Sequence, residues 1–167
     1  MRTALDAPLE ALDESDQDFV EKVRQYGWAF TSVPADEQGP GFRFTTGLWH
    51  STGHAELILF SMKRDIVRDV FADLFRAAKA GNRLPTSEST DRAFANLPAY
   101  AFPVATRFYP EYLGRSRWFY GGDDFPCLQI VWPDRESRFP WQPGFNPEFA
   151  DDQPDLSERG WKQEVSG

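Results

Sequence analysis

The fold turns on three consecutive stretches: Phe42-Arg43-Phe44-Thr45-Thr46-Gly47-Leu48, then Trp49-His50-Ser51-Thr52-Gly53-His54, then Ala55-Glu56-Leu57-Ile58-Leu59-Phe60. The first alternates β-favouring residues, the last is apolar except for Glu56, and a short polar loop joins them. A connection this short cannot carry a parallel crossover, which needs a dozen or more residues, so neighbouring strands here cannot all be parallel.

Upstream, Phe19, Val20, Val23 and Tyr26 share one helical face, with Gly27 as the stop. Ser15 followed by Asp18 resembles an acidic capping box. Trp28 to Val33 then reads as a strand, ended by Pro34 and the loop Ala35 to Gly41. Downstream, Ile66, Val67, Val70, Phe71, Leu74, Phe75 and Ala78 recur at spacings of three and four until Ala80, with Gly81-Asn82 as the stop. Residues 83–98, which hold Pro85 and Pro98, read as a loop with a short turn around Arg92 to Leu97. Ala99 to Phe108 reads as a strand whose Pro103 suits an edge or a bulge. Tyr109 to Tyr120 has mixed helical character, Cys127 to Trp132 reads as a buried strand, and proline breaks both periods from Pro133 onward.

The expected architecture is α+β (mixed α/β): a single domain with a central, largely antiparallel or mixed sheet packed by two main helices, and an irregular, aromatic-rich C-terminal segment. A chain of 167 residues, 41% hydrophobic, suits one core. The expected organisation is an acidic lead-in over 1–18, a globular domain over 19–149 and an acidic, flexible tail over 150–167.

The formal charge of −8 is uneven. Residues 1–18 carry six acids against Arg2, and residues 146–167 carry six acids against Arg159 and Lys162, so the centre is near neutral. Acidic ends disfavour phosphate backbones and point away from nucleic acid and toward a basic protein partner. They also serve solubility alone. No stretch approaches the roughly 18 apolar residues of a membrane span. The acidic start does not resemble a signal peptide, and the single Cys127 forms no internal disulfide, so the expected location is the cytoplasm.

His50, His54 and Glu56 are chemically adequate metal ligands or acid–base groups, although Gly53 and the flanking strands put them on a loop where their spacing has no helical meaning. Fourteen of the 26 aromatic residues lie between Tyr100 and Phe149, a concentration that either plugs an irregular segment or lines a groove. Arg135 and Arg138 sit among them, suited to cation–π contacts or ion pairs. No nucleophile elbow or phosphate loop is present, and Cys127 lacks an electropositive context, which weighs against an enzyme and implies no cofactor.

Several of these segments together resemble a known pattern: Phe42 to Trp49, Gly53-His54-Ala55-Glu56-Leu57, Phe119-Tyr120-Gly121, and Leu128-Gln129-Ile130-Val131-Trp132-Pro133-Asp134-Arg135 followed by Arg138-Phe139-Pro140-Trp141. They resemble the bacterial domain of unknown function 4262 family over about residues 19–149. Arg43, Phe44 and Ala55 stand where its motifs carry alanine, tyrosine and proline. The family implies no reaction. More distantly, the order of a Thr-x-Gly-Leu strand, a Glu-Leu strand and a long helix is similar to suppressor-of-fused-type modules, which implies an immunity-type inhibitor.

The resulting expectation is a cytoplasmic binding module, an immunity-type inhibitor or other interaction protein, working through an acidic and aromatic surface. The alternative is a small enzyme or a ligand- or metal-binding protein with its pocket around His50, His54, Glu56 and Trp132 to Trp141. The candidate binding residues are Thr45, Trp49, His54, Glu56, Trp132, Asp134, Arg138 and Trp141, and the metal candidates are His50, His54 and Glu56. The same motifs also read as scaffolding, with glycine freeing the backbone, Asp134 capping a turn and tryptophan filling the core.

Overall fold

Leu57 and Leu59 leave their strand on one side, Ile58 and Phe60 on the other, and all four are buried. Such a strand needs a covering layer on each face. In the computed structural model, which describes residues 2–166, it lies at the centre of a five-stranded mixed sheet. The spatial order is β1 (Ala29–Val33), β2 (Phe42–Thr46), β3 (Glu56–Phe60), β5 (Cys127–Val131), β4 (Tyr100–Pro103). β2 and β3 pair antiparallel, with Phe42 opposite Phe60 and Phe44 opposite Ile58, while β3 and β5 are parallel. β4 occupies an edge, where Pro103 costs no ladder bond on an inner strand.

Two main helices cover the faces. α3 (Arg64–Lys79) presents Val67, Val70, Phe71, Leu74, Phe75 and Ala78 to Leu57, Leu59, Leu128 and Ile130. α1 (Glu14–Tyr26) packs Val20 and Val23 on the opposite face, together with α4 (Tyr109–Tyr112) and α5 (Gly114–Tyr120). Both buried stripes are narrower than their sequence spacing implies. Tyr26 is 60% exposed and Ile66 46% exposed, the one in the last turn of α1 and the other in the first turn of α3. The N-cap of α1 is Asp13, which accepts the Asp16 N–H at 2.7 Å, so the expected Ser15–Asp18 box is not the cap in use.

Two local expectations need correction. Residues 49–54 do not form a plain loop: Leu48–Thr52 is a single helical turn and a half, α2, set between Gly47 (φ 101°) and Gly53 (φ 77°). Segment 150–166, expected as a flexible tail, packs on the domain. Gln129 of β5 donates to the Pro154 carbonyl at 2.7 Å and accepts the Leu156 N–H at 3.3 Å, and Ala105 N–H bonds the Leu156 carbonyl at 2.8 Å. Leu156 and Trp161, the latter opening α6 (Trp161–Ser166), are buried. Acidic composition masks these two anchors, which each find a slot in the core. The lead-in is tied as well, through buried Ala4 and the Arg24 guanidinium, which donates to the Leu5 carbonyl at 2.7 Å.

The aromatic concentration resolves largely as packing. Tyr100, Phe102, Phe139, Trp141 and Trp161 form edge-to-face and stacked contacts with centroids 4.8 to 6.4 Å apart, clamping the irregular 133–166 segment onto β4. Among the described residues no helix is long and apolar enough to cross a membrane.

Candidate functional site

α2 is too short to stabilise itself, and the N–H groups of its first turn have no intrahelical acceptor. Glu56, fully buried at the start of β3, supplies one. Its carboxylate accepts the N–H of Gly47 at 3.0 Å, of Leu48 at 3.2 Å and of Trp49 at 3.1 Å, and the Thr45 hydroxyl at 2.7 Å. The Tyr120 hydroxyl donates to the same carboxylate and accepts the His50 N–H at 3.1 Å. Thr45 in turn accepts the Leu57 N–H at 2.9 Å. Glu56 and Tyr120 thus satisfy every open donor at the helix start and bind β2, β3, α2 and α5 into one polar knot. Nearby, Ser116 of α5 donates to the Thr45 carbonyl at 2.9 Å and shares a 2.7 Å hydrogen bond with the Thr46 hydroxyl.

The electrostatics follow from burial. Desolvation pushes the Glu56 carboxyl up to about 7, against the pull of hydrogen bonds from Tyr120, Thr45, Trp49 and Leu48. Desolvation and the neighbouring Glu56 together push the Tyr120 hydroxyl and the Cys127 thiol upward. Cys127 is therefore a protonated core thiol.

His54 is equally committed. Its Nδ1 lies 2.8 Å from the Ala55 carbonyl and its Nε2 accepts the Leu84 N–H at 3.1 Å, an arrangement that requires the neutral ring protonated at Nδ1. Burial lowers its pKa, the Ala55 carbonyl works the other way, and Arg83 adds to the lowering. With both nitrogens engaged, His54 has no lone pair left for a metal.

The expected constellation of His50, His54 and Glu56 does not converge. The His50 side chain sits on the exposed side of α2 against Phe119, His54 bonds the 84 loop, and Glu56 turns into the α2 start. Among the described residues no group of three His, Cys, Asp or Glu side chains is placed to hold a metal ion.

The second half of the expected pocket is scaffold as well. Trp132 is buried against α3, its Nε1 donates to the Phe60 carbonyl at 2.9 Å, and its backbone exchanges two 3.0 Å hydrogen bonds with the Gln153 side chain. Asp134 accepts the N–H groups of Glu136, Arg138 and Asn146, each at 2.9 Å, and its Oδ2 lies 3.4 Å from Arg138 Nε. Burial opposes its charge, but these N–H donors and the Arg138 guanidinium hold its carboxyl below the usual range. Arg138 also reaches Glu136 at 2.9 Å and closes over Gly144, while Trp141 belongs to the aromatic clamp. Asp134→Ala is expected to leave the sheet intact and release 133–146, seen as cleavage in that loop about tenfold faster under limited proteolysis.

The sequence reading took Glu56, Thr45 and Asp134 as candidate binding residues, where the structure spends them on internal hydrogen bonds, and it missed Tyr120, Ser116 and Gln129 as their neighbours and counterparts. Gln129 carried a signal, a lone amide inside an otherwise apolar strand. Tyr120 carried only its place in the Phe-Tyr-Gly motif, because nothing local shows that its hydroxyl reaches Glu56 across 64 positions.

A family model described as "Domain of unknown function (DUF4262)" matches residues 22–146. No curated protein and no solved structure matched the chain.

Proposed function

Since the chain belongs to the DUF4262 family, whose description carries no activity, its own surface has to supply the function; we propose a cytoplasmic protein-binding module, of the immunity-inhibitor kind, that receives a basic partner on its N-terminal face. The observation that carries this reading is that the groups best suited to catalysis, His54, Glu56 and Cys127, are all buried. His54 and Glu56 are also spent on internal hydrogen bonds. The exposed features lie elsewhere.

Asp6, Glu10, Asp13, Glu14 and Asp18 are exposed along residues 6–18, a stretch that also holds Leu9, itself 63% exposed. Trp118, 36% exposed, borders a recess of about 430 Å³ between residues 2–12 and the end of α5. Arg115 stacks over both Phe19 and Trp118 at 5.0 Å and pairs with Asp16 at 2.5 Å, which holds the tryptophan in place. Exposed Leu9 and Trp118 beside a segment rich in exposed carboxylates suit a basic partner, with the carboxylates speeding association and the apolar side chains supplying affinity. The aromatic part of this surface is Trp118, not Trp132 to Trp141.

The test uses a variant carrying Glu10→Lys, Glu14→Lys and Asp18→Lys, none of which is a helix cap. Cross-linking of the intact protein in lysate of its source is expected to join residues 6–21 and Trp118 to one basic protein. The triple variant should lower the association rate at least about tenfold and change dissociation less. Unchanged association, or cross-links confined to another face, would refute the proposal.

A further inference from the structure

The C-terminal half of α3 and the loop after it enclose a recess of about 320 Å³ on a different part of the surface. Its floor is apolar, from Leu74, Ala77 and Leu84, and one wall is His54, whose neutral ring offers no charge. Arg83 and Arg92 line the remaining side. Each spends one nitrogen on a backbone carbonyl, Arg83 on Gly53 at 3.4 Å and Arg92 on Arg83 at 3.2 Å, which anchors both side chains at the recess and leaves their other N–H groups free. Neither makes an ion pair among the described residues. Asp73, at the rim, is already paired with Arg76.

Guanidinium forks left with free donors above an apolar floor match an anionic head on a short apolar body. With Asp73 paired to Arg76, the two arginines leave the lining cationic, and inorganic phosphate would make no use of the apolar Leu74, Ala77 and Leu84, so an anion carried on an aliphatic chain fits the recess better. The volume lies at the small end of ligand sites. We infer that this recess binds a monoanionic carboxylate carried on a short aliphatic chain. That chemistry is offered both by a free short-chain acid and by a peptide ending in leucine. The inference is independent of the acidic N-terminal face.

The experiment is an amide-resolved NMR titration of the full chain, with the Leu84 N–H as reporter because it bonds the His54 ring that walls the recess. The probes are 4-methylpentanoate, its neutral amide, inorganic phosphate, and a tripeptide ending in leucine with a free or amidated C-terminus. The Leu84 signal should saturate with 4-methylpentanoate at a dissociation constant on the order of 1 mM. The neutral amide should not bind, phosphate should bind more weakly, and Arg83→Gln or Arg92→Gln should weaken the carboxylate at least about tenfold. Both arginines are exposed, so an otherwise unchanged spectrum verifies that the variants fold. Tighter binding of the free-terminus tripeptide than of 4-methylpentanoate assigns the source as a peptide end, and the reverse order assigns a metabolite-sized acid. Shifts that never saturate, equal response to the neutral amide, tighter phosphate binding, or indifference to both arginine variants would overturn the inference.

Discussion

Glu56→Gln is expected to destabilise the protein at pH 5 by about 3 kcal/mol, and the deficit should shrink toward pH 8. The first effect is hydrogen-bond polarity. Every partner of the Glu56 carboxylate is a donor, so the amide group of glutamine must face either Leu48 N–H and the Thr45 hydroxyl or the N–H groups of Gly47 and Trp49. Each buried donor left unpaired costs about 1–3 kcal/mol. A protonated glutamate costs less, because it carries one hydrogen where the amide carries two, and the Tyr120 oxygen can reverse its role and accept it.

The second effect is linkage. Burial raises the folded pKa of Glu56 from 4.5 to about 7, so the group's contribution is fully present below its unfolded pKa and is lost as pH rises through its folded one. The wild type should lose about 3 kcal/mol from this group between those limits, and a glutamine loses nothing. Urea unfolding of both proteins at several pH values measures the difference directly. That difference also cancels His54, whose lowered pKa acts in the opposite sense, stabilising above pH 6.5 and giving way as pH falls through its folded pKa. Curves that stay parallel across pH would show that Glu56 does not titrate in the knot. Glu56→Ala, which strands all the donors and opens a cavity, should leave no cooperative unfolding transition, since it removes most of a typical domain's 5–15 kcal/mol.

Gly47→Ala should cost about 3–4 kcal/mol and lower the melting temperature by about 10 °C, whereas Gly53→Ala should cost about 1 kcal/mol and lower it by about 3 °C. The two glycines bracket the same helix and both have positive φ. They differ in surroundings. A Cβ on Gly47 would lie 2.9 Å from Val23 Cγ1, 3.0 Å from the Gly27 oxygen and 3.2 Å from Trp28 Cα, and the two backbone atoms cannot swing aside. A Cβ on Gly53 meets only the flexible end of Arg83, at 4.0 Å. Thermal denaturation of the pair separates conformational strain from overpacking, and equal losses would refute the role of close approach at Gly47.

The main elements were legible in the sequence because their signals are local. The period of α3, the stop at Gly27 and the alternation across Phe42 to Thr46 each depend on neighbours a few positions apart, and the structure has all three. α2 was not legible as a helix. Five residues hold less than two turns of periodicity, and the group that makes the helix possible, Glu56, follows it in the chain. The candidate site was legible only as a set of residue types. Thr45, Glu56, Trp132 and Asp134 do sit at or near strand ends in polar or aromatic company, but their partners are backbone and side-chain groups of the fold itself.

The sequence by itself determined an α+β chain whose sheet is largely antiparallel or mixed, two main amphipathic helices, a near-neutral centre and acidic ends, because hydrophobic period, turn chemistry and charge are properties of short segments, whereas the parallel pairing of β3 with β5 came only from the structure. Only the tertiary structure decided which polar residues are free to meet another molecule. Glu56 meets Tyr120 across 64 positions and Gln153 meets Trp132 across 21, and those long-range hydrogen bonds turn apparent chemistry into scaffold. The same packing leaves Leu9, Trp118, Arg83 and Arg92 outside, where residue type alone could not distinguish them from any other surface side chain.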